Sequence, residues 1–185
     1  MKLNEIAQTE IERLLQKYKI KNYTVRKDGL VDVEGDIALG FYLFDKLPIK
    51  FDRVKGNFDL QFSKLETLEG SPQWVGEWFS CAFCREIFSL QYSPIYVNGF
   101  FNCNGCWNLE SLDYLPKQIN GILYLGDIPK VKDVLKIFKT KGITEIIHDN
   151  KQLEKIINKY LPKRDMLNCQ DELIEAGLEK YAEIE

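Results

Sequence analysis

The residue types best suited to chemistry are two cysteine pairs. Cys81-Ala-Phe-Cys84 is followed by Cys103-Asn-Gly-Cys106, a C-x2-C-x18-C-x2-C arrangement. Four thiolates so spaced can complete a tetrahedral zinc site. A plainer reading competes with that one. Cys81 and Cys103 fall on positions held elsewhere by Leu39, Leu60 and Leu125, and Cys84 and Cys106 match Ser63. The first pair then read as small buried apolar groups. The second pair read as small polar groups that bond a neighbouring segment's backbone. The separation between the pairs is, on this reading, the length of a sequence repeat and needs no metal. Buried reduced thiols, with no cofactor, are the favoured expectation, and zinc on Cys81, Cys84, Cys103 and Cys106 is the alternative.

Two further groups invite a catalytic reading. The single histidine, His148, precedes Asp149 with no serine or cysteine motif to match, and is expected to be a satisfied or solvated side chain. One histidine also excludes chemistry that needs several. Cys169 precedes Asp171 and Glu172, acids that would raise a thiol's pKa where a nucleophile needs it lowered. The chain therefore reads as non-enzymatic, with a Cys-dependent enzyme the weakest alternative.

The elements that must position these residues follow from an internal repeat. Val33, Val54, Val75, Val97 and Ile119 recur at a step that is constant to within one residue. The same step relates Ile37, Phe58, Phe79, Phe101 and Leu123, and also Leu39, Leu60, Cys81, Cys103 and Leu125. Phe44, Leu65, Ile87 and Leu109 keep the spacing, as do Leu47, Leu68, Leu90 and Leu112, with prolines at 48, 72, 94 and 116. Phe-x-Leu and Phe-x-Cys alternate as a strand with one buried face does. One such unit cannot bury its apolar side chains alone, but stacked units make a continuous core. The step lies within the length range of leucine-rich repeats. The prediction is an α/β, leucine-rich-repeat-like solenoid, with a parallel sheet of about five coils.

The ends depart from the pattern, as caps should. Ala7, Ile11, Leu14, Leu15 and Tyr18 keep helical spacing, and the stretch from Asn22 to Val33 reads as a hairpin turning at Asp28-Gly29. After the repeats, Val131, Val134, Leu135 and Phe138 suggest an amphipathic helix stopping near Gly142, and residues 143–147 a short strand. Asp149 and Gln152 resemble a capping box for a helix carrying Leu153, Ile156, Ile157 and Tyr160, ended by Pro162. A last helix spans roughly 165–176. The chain is thus expected to be one domain, 1–185, with a helix-and-hairpin cap (1–33), a solenoid (34–129) and a C-terminal α/β cap (130–185).

The lead-in from Ile20 to Val33, the repeats, and the ending from Cys169 to Ile184 together resemble leucine-rich-repeat-like proteins of T4-type phages and some bacteria. The likeness spans most of the chain, although the family's usual repeat asparagine is replaced throughout. It implies the solenoid architecture and a phage-like origin. By analogy it also implies a host protein as partner, such as a defence or metabolic component that is inhibited, met in the host cytoplasm. Cys169-Gln170-Asp171 resembles the nucleophile region of some bacterial ubiquitin ligases that carry such repeats, but those enzymes need a large separate catalytic domain.

A binding face follows from strand alternation. If Phe58, Phe79, Phe101 and Leu123 point inward, then Asn57, Trp78, Phe100 and Ile122 point outward, followed by Asp59, Ser80, Asn102 and Tyr124. Aromatic anchors among adaptable polar groups are how protein-binding faces concentrate energy. These eight residues are the candidate partner-binding set. With 45% hydrophobic and 29% charged residues and a formal charge of -3, the chain is globular and lacks the uncompensated basic surface of a nucleic-acid binder. Five cysteines, an N-terminus unlike a signal peptide and no membrane-length apolar run point to a reducing cytoplasm. Lys130, Lys132, Lys136, Lys139 and Lys141 read as the wet side of an amphipathic element, near an acidic tail of Asp171, Glu172, Glu175, Glu179, Glu183 and Glu185.

Overall fold

The computed structural model describes residues 5–183; Glu185 of the acidic tail lies outside them. Helix α1 (Glu5–Lys17) buries Leu15 and lays Ile11, Leu14 and Tyr18 against the core. Strands β1 (Tyr23–Val25) and β2 (Val31–Val33) pair antiparallel, Tyr23 opposite Val33, with Gly29 in the turn. From β2 onward each coil supplies two short strands, not one. One row runs β2, β4 (Phe51–Val54), β6 (Trp74–Val75), β8 (Tyr96–Val97) and β10 (Gln118–Ile119). The other runs β3 (Ile37–Ala38), β5 (Phe58–Asp59), β7 (Phe79–Ser80), β9 (Phe101–Asn102) and β11 (Ile122–Tyr124), and ends on β12 (Glu145–Ile147). The repeat therefore builds two six-stranded sheets, a valine sheet and a phenylalanine sheet. Apart from the β1–β2 hairpin, all pairs in them are parallel.

The register is that of the repeat. Val54 pairs with Val75 and Val75 with Val97, while Phe58, Phe79 and Phe101 pair in sequence. The rings of Phe58 and Phe79 lie 5.8 Å apart at 4°, and those of Phe79 and Phe101 5.0 Å apart at 12°. All three are inaccessible to solvent, as are the leucine and cysteine columns beside them. Main-chain bonds tie the coils together: Phe58 N donates to Trp78 O at 2.9 Å, and Cys81 N to Asn102 O at 2.9 Å. Between the two strands of a coil the backbone turns at a glycine. A Cβ at Gly76 would lie 2.1 Å from the Lys55 carbonyl oxygen, so only glycine lets successive corners approach so closely.

The C-terminal boundary differs from the expected one. Val131 and Val134 lie one repeat beyond Leu109 and Leu112, and continue those columns inside the core. The return half of a fifth coil thus occupies the start of the expected cap. The predicted helix over Val131–Phe138 is a 3₁₀ turn, Val134–Lys139. Its physical reason is Asp133, whose carboxylate accepts from Leu112 N at 3.0 Å and from Ser111 Oγ at 2.5 Å, stitching the segment to the preceding coil. The strand expected over 143–147 forms and adds to the phenylalanine sheet, Leu123 opposite Ile146. Helix α2 (Lys151–Tyr160) is capped by Asn150, not Asp149: the Asn150 Oδ1 accepts from Gln152 N and Leu153 N. It gives way to a 3₁₀ turn containing Pro162, and α3 (Met166–Glu175) then packs on it, burying Cys169 and Leu173.

Phe79 has a ring on each side and Phe41 is exposed, so the two should respond differently. Phe79→Ala is expected to lower the free energy of unfolding by about 3–5 kcal/mol. Phe41→Ala removes one exposed stack and should cost about 1 kcal/mol. Urea midpoints at unchanged slope measure both, and equal losses would contradict the buried ladder.

Candidate functional site

The outward row of the phenylalanine sheet is an aromatic ladder. Trp78 and Phe100 stack at 5.1 Å and 7°, and Phe100 meets Tyr124 edge-on at 5.5 Å. Asn57, Trp78, Phe100, Ile122 and Tyr124 are all half-buried. The corner that leads into this row is a polar ladder: Asp36 Oδ1 accepts from Asn57 N at 2.8 Å, and Asn57 Oδ1 from Trp78 N at 3.3 Å. Asp59 Oδ1 accepts from Gln61 N and Asn102 Oδ1 from Asn104 N, each at 2.9 Å. Asp59 and Asn102 are fixed by backbone two residues on and Asn57 by the next coil's, and the side-chain amide nitrogens of Asn57 and Asn102 keep no partner among the described residues. Seven of the eight candidate residues thus share one accessible face. Ser80 is the exception. It is fully buried, short between Asp59 and Asn102, and its hydroxyl accepts from Ala82 N at 3.3 Å.

The four clustered cysteines are buried and free. Cys84 Sγ donates to Leu60 O at 3.0 Å and lies 3.2 Å from Ser63 Oγ, and Cys106 Sγ donates to Cys81 O at 3.2 Å. Each thus bonds the coil before it, as the small polar reading of these positions expects. Cys81 and Cys103 point the other way, to Asn102 O at 3.6 Å and Tyr124 O at 3.5 Å. Each of the four sulfurs is bonded to a carbonyl, and among the described residues no three metal-ligating side chains are grouped to share an ion. Burial pushes the Cys84 thiol up to about 12, and Cys81 is raised by its contact with Cys106 and by burial. Burial likewise raises Cys103.

Cys169 is fully buried, and burial, Glu172 and Asp165 push its thiol up to about 12, so it carries a proton where a nucleophile needs a thiolate. His148 is buried too; its Nδ1 accepts from Asn150 N at 2.9 Å, and burial lowers its pKa against the pull of Asp149 and Glu154. The lysines do not form one free patch: Lys136 is ion-paired to Asp113 and Asp133 at 2.8 Å each, and Lys130 donates to Asn108 Oδ1. In the tail, Glu172 is engaged by Lys159 and Tyr160.

Two aromatic features escaped sequence reasoning. Phe41, Phe62 and Phe83 form a second stack, 4.9 and 4.8 Å between neighbours, each with φ near +60°. This stack ends on Gly105, also at positive φ, where a Cβ would strike the Phe83 ring at 2.4 Å. On the valine sheet, Trp74 stacks on Tyr96 at 6.0 Å beneath the Arg53 guanidinium. Both carry a signal in the sequence, since the aromatics recur at the repeat step, but alternation says nothing of corners. No helix among the described residues is long and apolar enough to cross a membrane. No family model, no curated protein and no solved structure matches the chain.

Two expected outcomes concern the thiols. A group whose pKa is raised on folding keeps its proton when folded, whereas the unfolded chain loses it near the ordinary thiol value of about 8.5. The thiols' contribution to stability is therefore complete below that pH and is lost as pH rises toward 12, the value for Cys84 and Cys169. Urea midpoints should fall between pH 8 and 10.5, and Ellman's reagent at pH 8 should label no cysteine until urea is added; rapid labelling of the native chain contradicts both. Metal analysis of protein purified without chelator should return far less than one zinc per chain, whereas about one zinc would reassign the four thiols to a metal site.

Proposed function

We propose that this chain is a non-enzymatic protein-binding module that grips its partner through the outer face of the phenylalanine sheet. Trp78, Phe100 and Tyr124 are the anchors, and Asn57, Asp59, Asn102 and Ile122 surround them. The observation that carries this reading is the unbroken contact from Trp78 to Phe100 to Tyr124 on a face whose other side chains, Ile122 apart, are short and polar. Interfaces concentrate their energy in a few aromatic anchors ringed by groups that exclude water. Here the rings support one another and the flanking Asn and Asp side chains are held by backbone N–H groups, so little order remains to be imposed when a partner docks. A formal charge of -3 favours a protein partner over nucleic acid. That the partner is a host protein, inhibited or modulated in the host cytoplasm by a phage-encoded chain, rests on the family resemblance alone.

The test is capture from a lysate of the host. Wild-type protein and Tyr96→Ala, altered on the other sheet, should retain the same partner. The double substitution Trp78→Ala, Phe100→Ala should keep its fold by circular dichroism and lose at least about thirtyfold in affinity, the loss of one hot-spot residue or more. Capture undiminished by the double substitution removes this face from the reading.

A further inference from the structure

A second site lies where the last coil meets the C-terminal cap. Trp107, from the fourth coil, and Tyr181, from the terminal turn, flank a cleft of about 310 Å³ floored by Ile128 and His148 and rimmed by Asp127 and Asp149. That volume is at the lower end of small-molecule sites.

His148 is 8% exposed and is the deepest polar group in the cleft. Its backbone N–H donates to Glu154 Oε2 at 2.8 Å, and its Nδ1 accepts from Asn150 N at 2.9 Å. In the neutral ring that bond leaves the proton on Nε2. This N–H has no protein partner among the described residues and keeps some access to solvent. It is a fixed donor awaiting an acceptor.

The rim asks for the opposite charge. Both charged lining residues are acids, and neither a lysine nor an arginine lines the cleft. Asp149 accepts from Asp127 N, while the exposed Asp127 carboxylate itself has no partner among the described residues. The charge of the lining itself therefore favours a cation. The two aromatic side chains suit a cation, and the chain already sets one on each: the Arg85 guanidinium lies 4.3 Å from the Trp107 ring centre, and Lys180 Nζ 4.6 Å from that of Tyr181. Neither of those two residues lines the cleft.

We propose that this cleft binds a small, free organic ammonium ion that carries an oxygen acceptor, the chemistry of an amino alcohol such as choline. The ammonium head sits between Trp107 and Tyr181 under the field of Asp127 and Asp149, and the oxygen accepts from His148 Nε2–H. The site is independent of the phenylalanine-sheet face, so either assignment can fail without the other.

The single histidine makes the test direct, because the full-length chain gives one imidazole Cε1–H signal, that of His148. Choline chloride, titrated at constant ionic strength, should shift that signal and the Trp107 indole N–H saturably. The uncharged carbon analogue 3,3-dimethyl-1-butanol should leave both in place. Asp127→Asn, at an exposed position where the carboxylate bonds nothing among the described residues, should weaken choline about fivefold, the equivalent of one surface ion pair. Glycerophosphocholine, which adds a phosphate, should bind more weakly than choline. No saturable shift, equal shifts with the neutral analogue, undiminished binding by the Asp127 variant, or tighter binding of glycerophosphocholine each overturns the proposal, the last in favour of a lipid headgroup.

Discussion

Successive coils are held by main-chain hydrogen bonds that run from one turn of the chain to the next, and everything else in the molecule conforms to them. Parallel strands lie about 4.8 Å apart. At that distance a side chain's nearest neighbour is its own counterpart one repeat away. Phe79 is thus confined by Phe58 on one side and Phe101 on the other, at 5.8 and 5.0 Å. A column tolerates only residues that pack on themselves, which is why five columns keep step along the sequence. Burial outweighs stacking in this arrangement: enclosing a phenylalanine contributes about 1.5–3 kcal/mol, a ring pair about 0.5–1.5 kcal/mol beyond it.

The same constraint governs polar groups. Burying an unpaired donor is costly, so columns of small polar side chains form ladders. Asp36, Asn57 and the Trp78 amide form one, and Ser63, Cys84 and the Leu60 carbonyl another. In the second, a thiol stands at the position that Ser63 holds one coil earlier. It donates to that carbonyl and lies against Ser63 Oγ, so one thiol links two groups of the coil before it. At the solenoid's end, Asp133 takes the equivalent role for Leu112 N with a carboxylate, and Lys136 balances the charge that burial would otherwise penalise.

Much of this was legible before any coordinates, and the rest was not for identifiable reasons. The period, the inward phenylalanine and valine columns and the N-terminal helix and hairpin all follow from apolar spacing. The second sheet did not, because β6, β8 and β10 each bury a single residue, Val75, Val97 or Ile119, which shows no alternation. The continuation through Val131 and Val134 was hidden by helical spacing, since residues three apart suit either a helix or the return half of a coil. Ser80 was misplaced because alternation fixes the side of the sheet and not the depth. The cap of α2 was assigned to Asp149 where Asn150 performs it, a one-residue error of the kind helix ends invite. The cleft at His148 joins residues from the fourth coil to the terminal turn, a closure no local pattern encodes.

Stability and the proposed recognition fall on adjacent residues, Trp78 standing just ahead of β7. Phe79 points inward and Trp78 outward, and both stack on their counterparts in the next coil, Phe101 and Phe100. Fixing a large side chain at an interface ordinarily costs about 0.5–1.5 kcal/mol in lost freedom. For Trp78 and Phe100 that cost has been met in folding, because coil-to-coil bonding already holds their rings parallel. A repeat that had to order its interior therefore ordered its exterior too, and the outward column inherits rigidity without contributing to the core. Since successive residues face opposite sides, the outer row can change with little effect on the inner one, provided that the register holds. A slip of one residue would exchange the two, and the unbroken valine and phenylalanine columns guard against it.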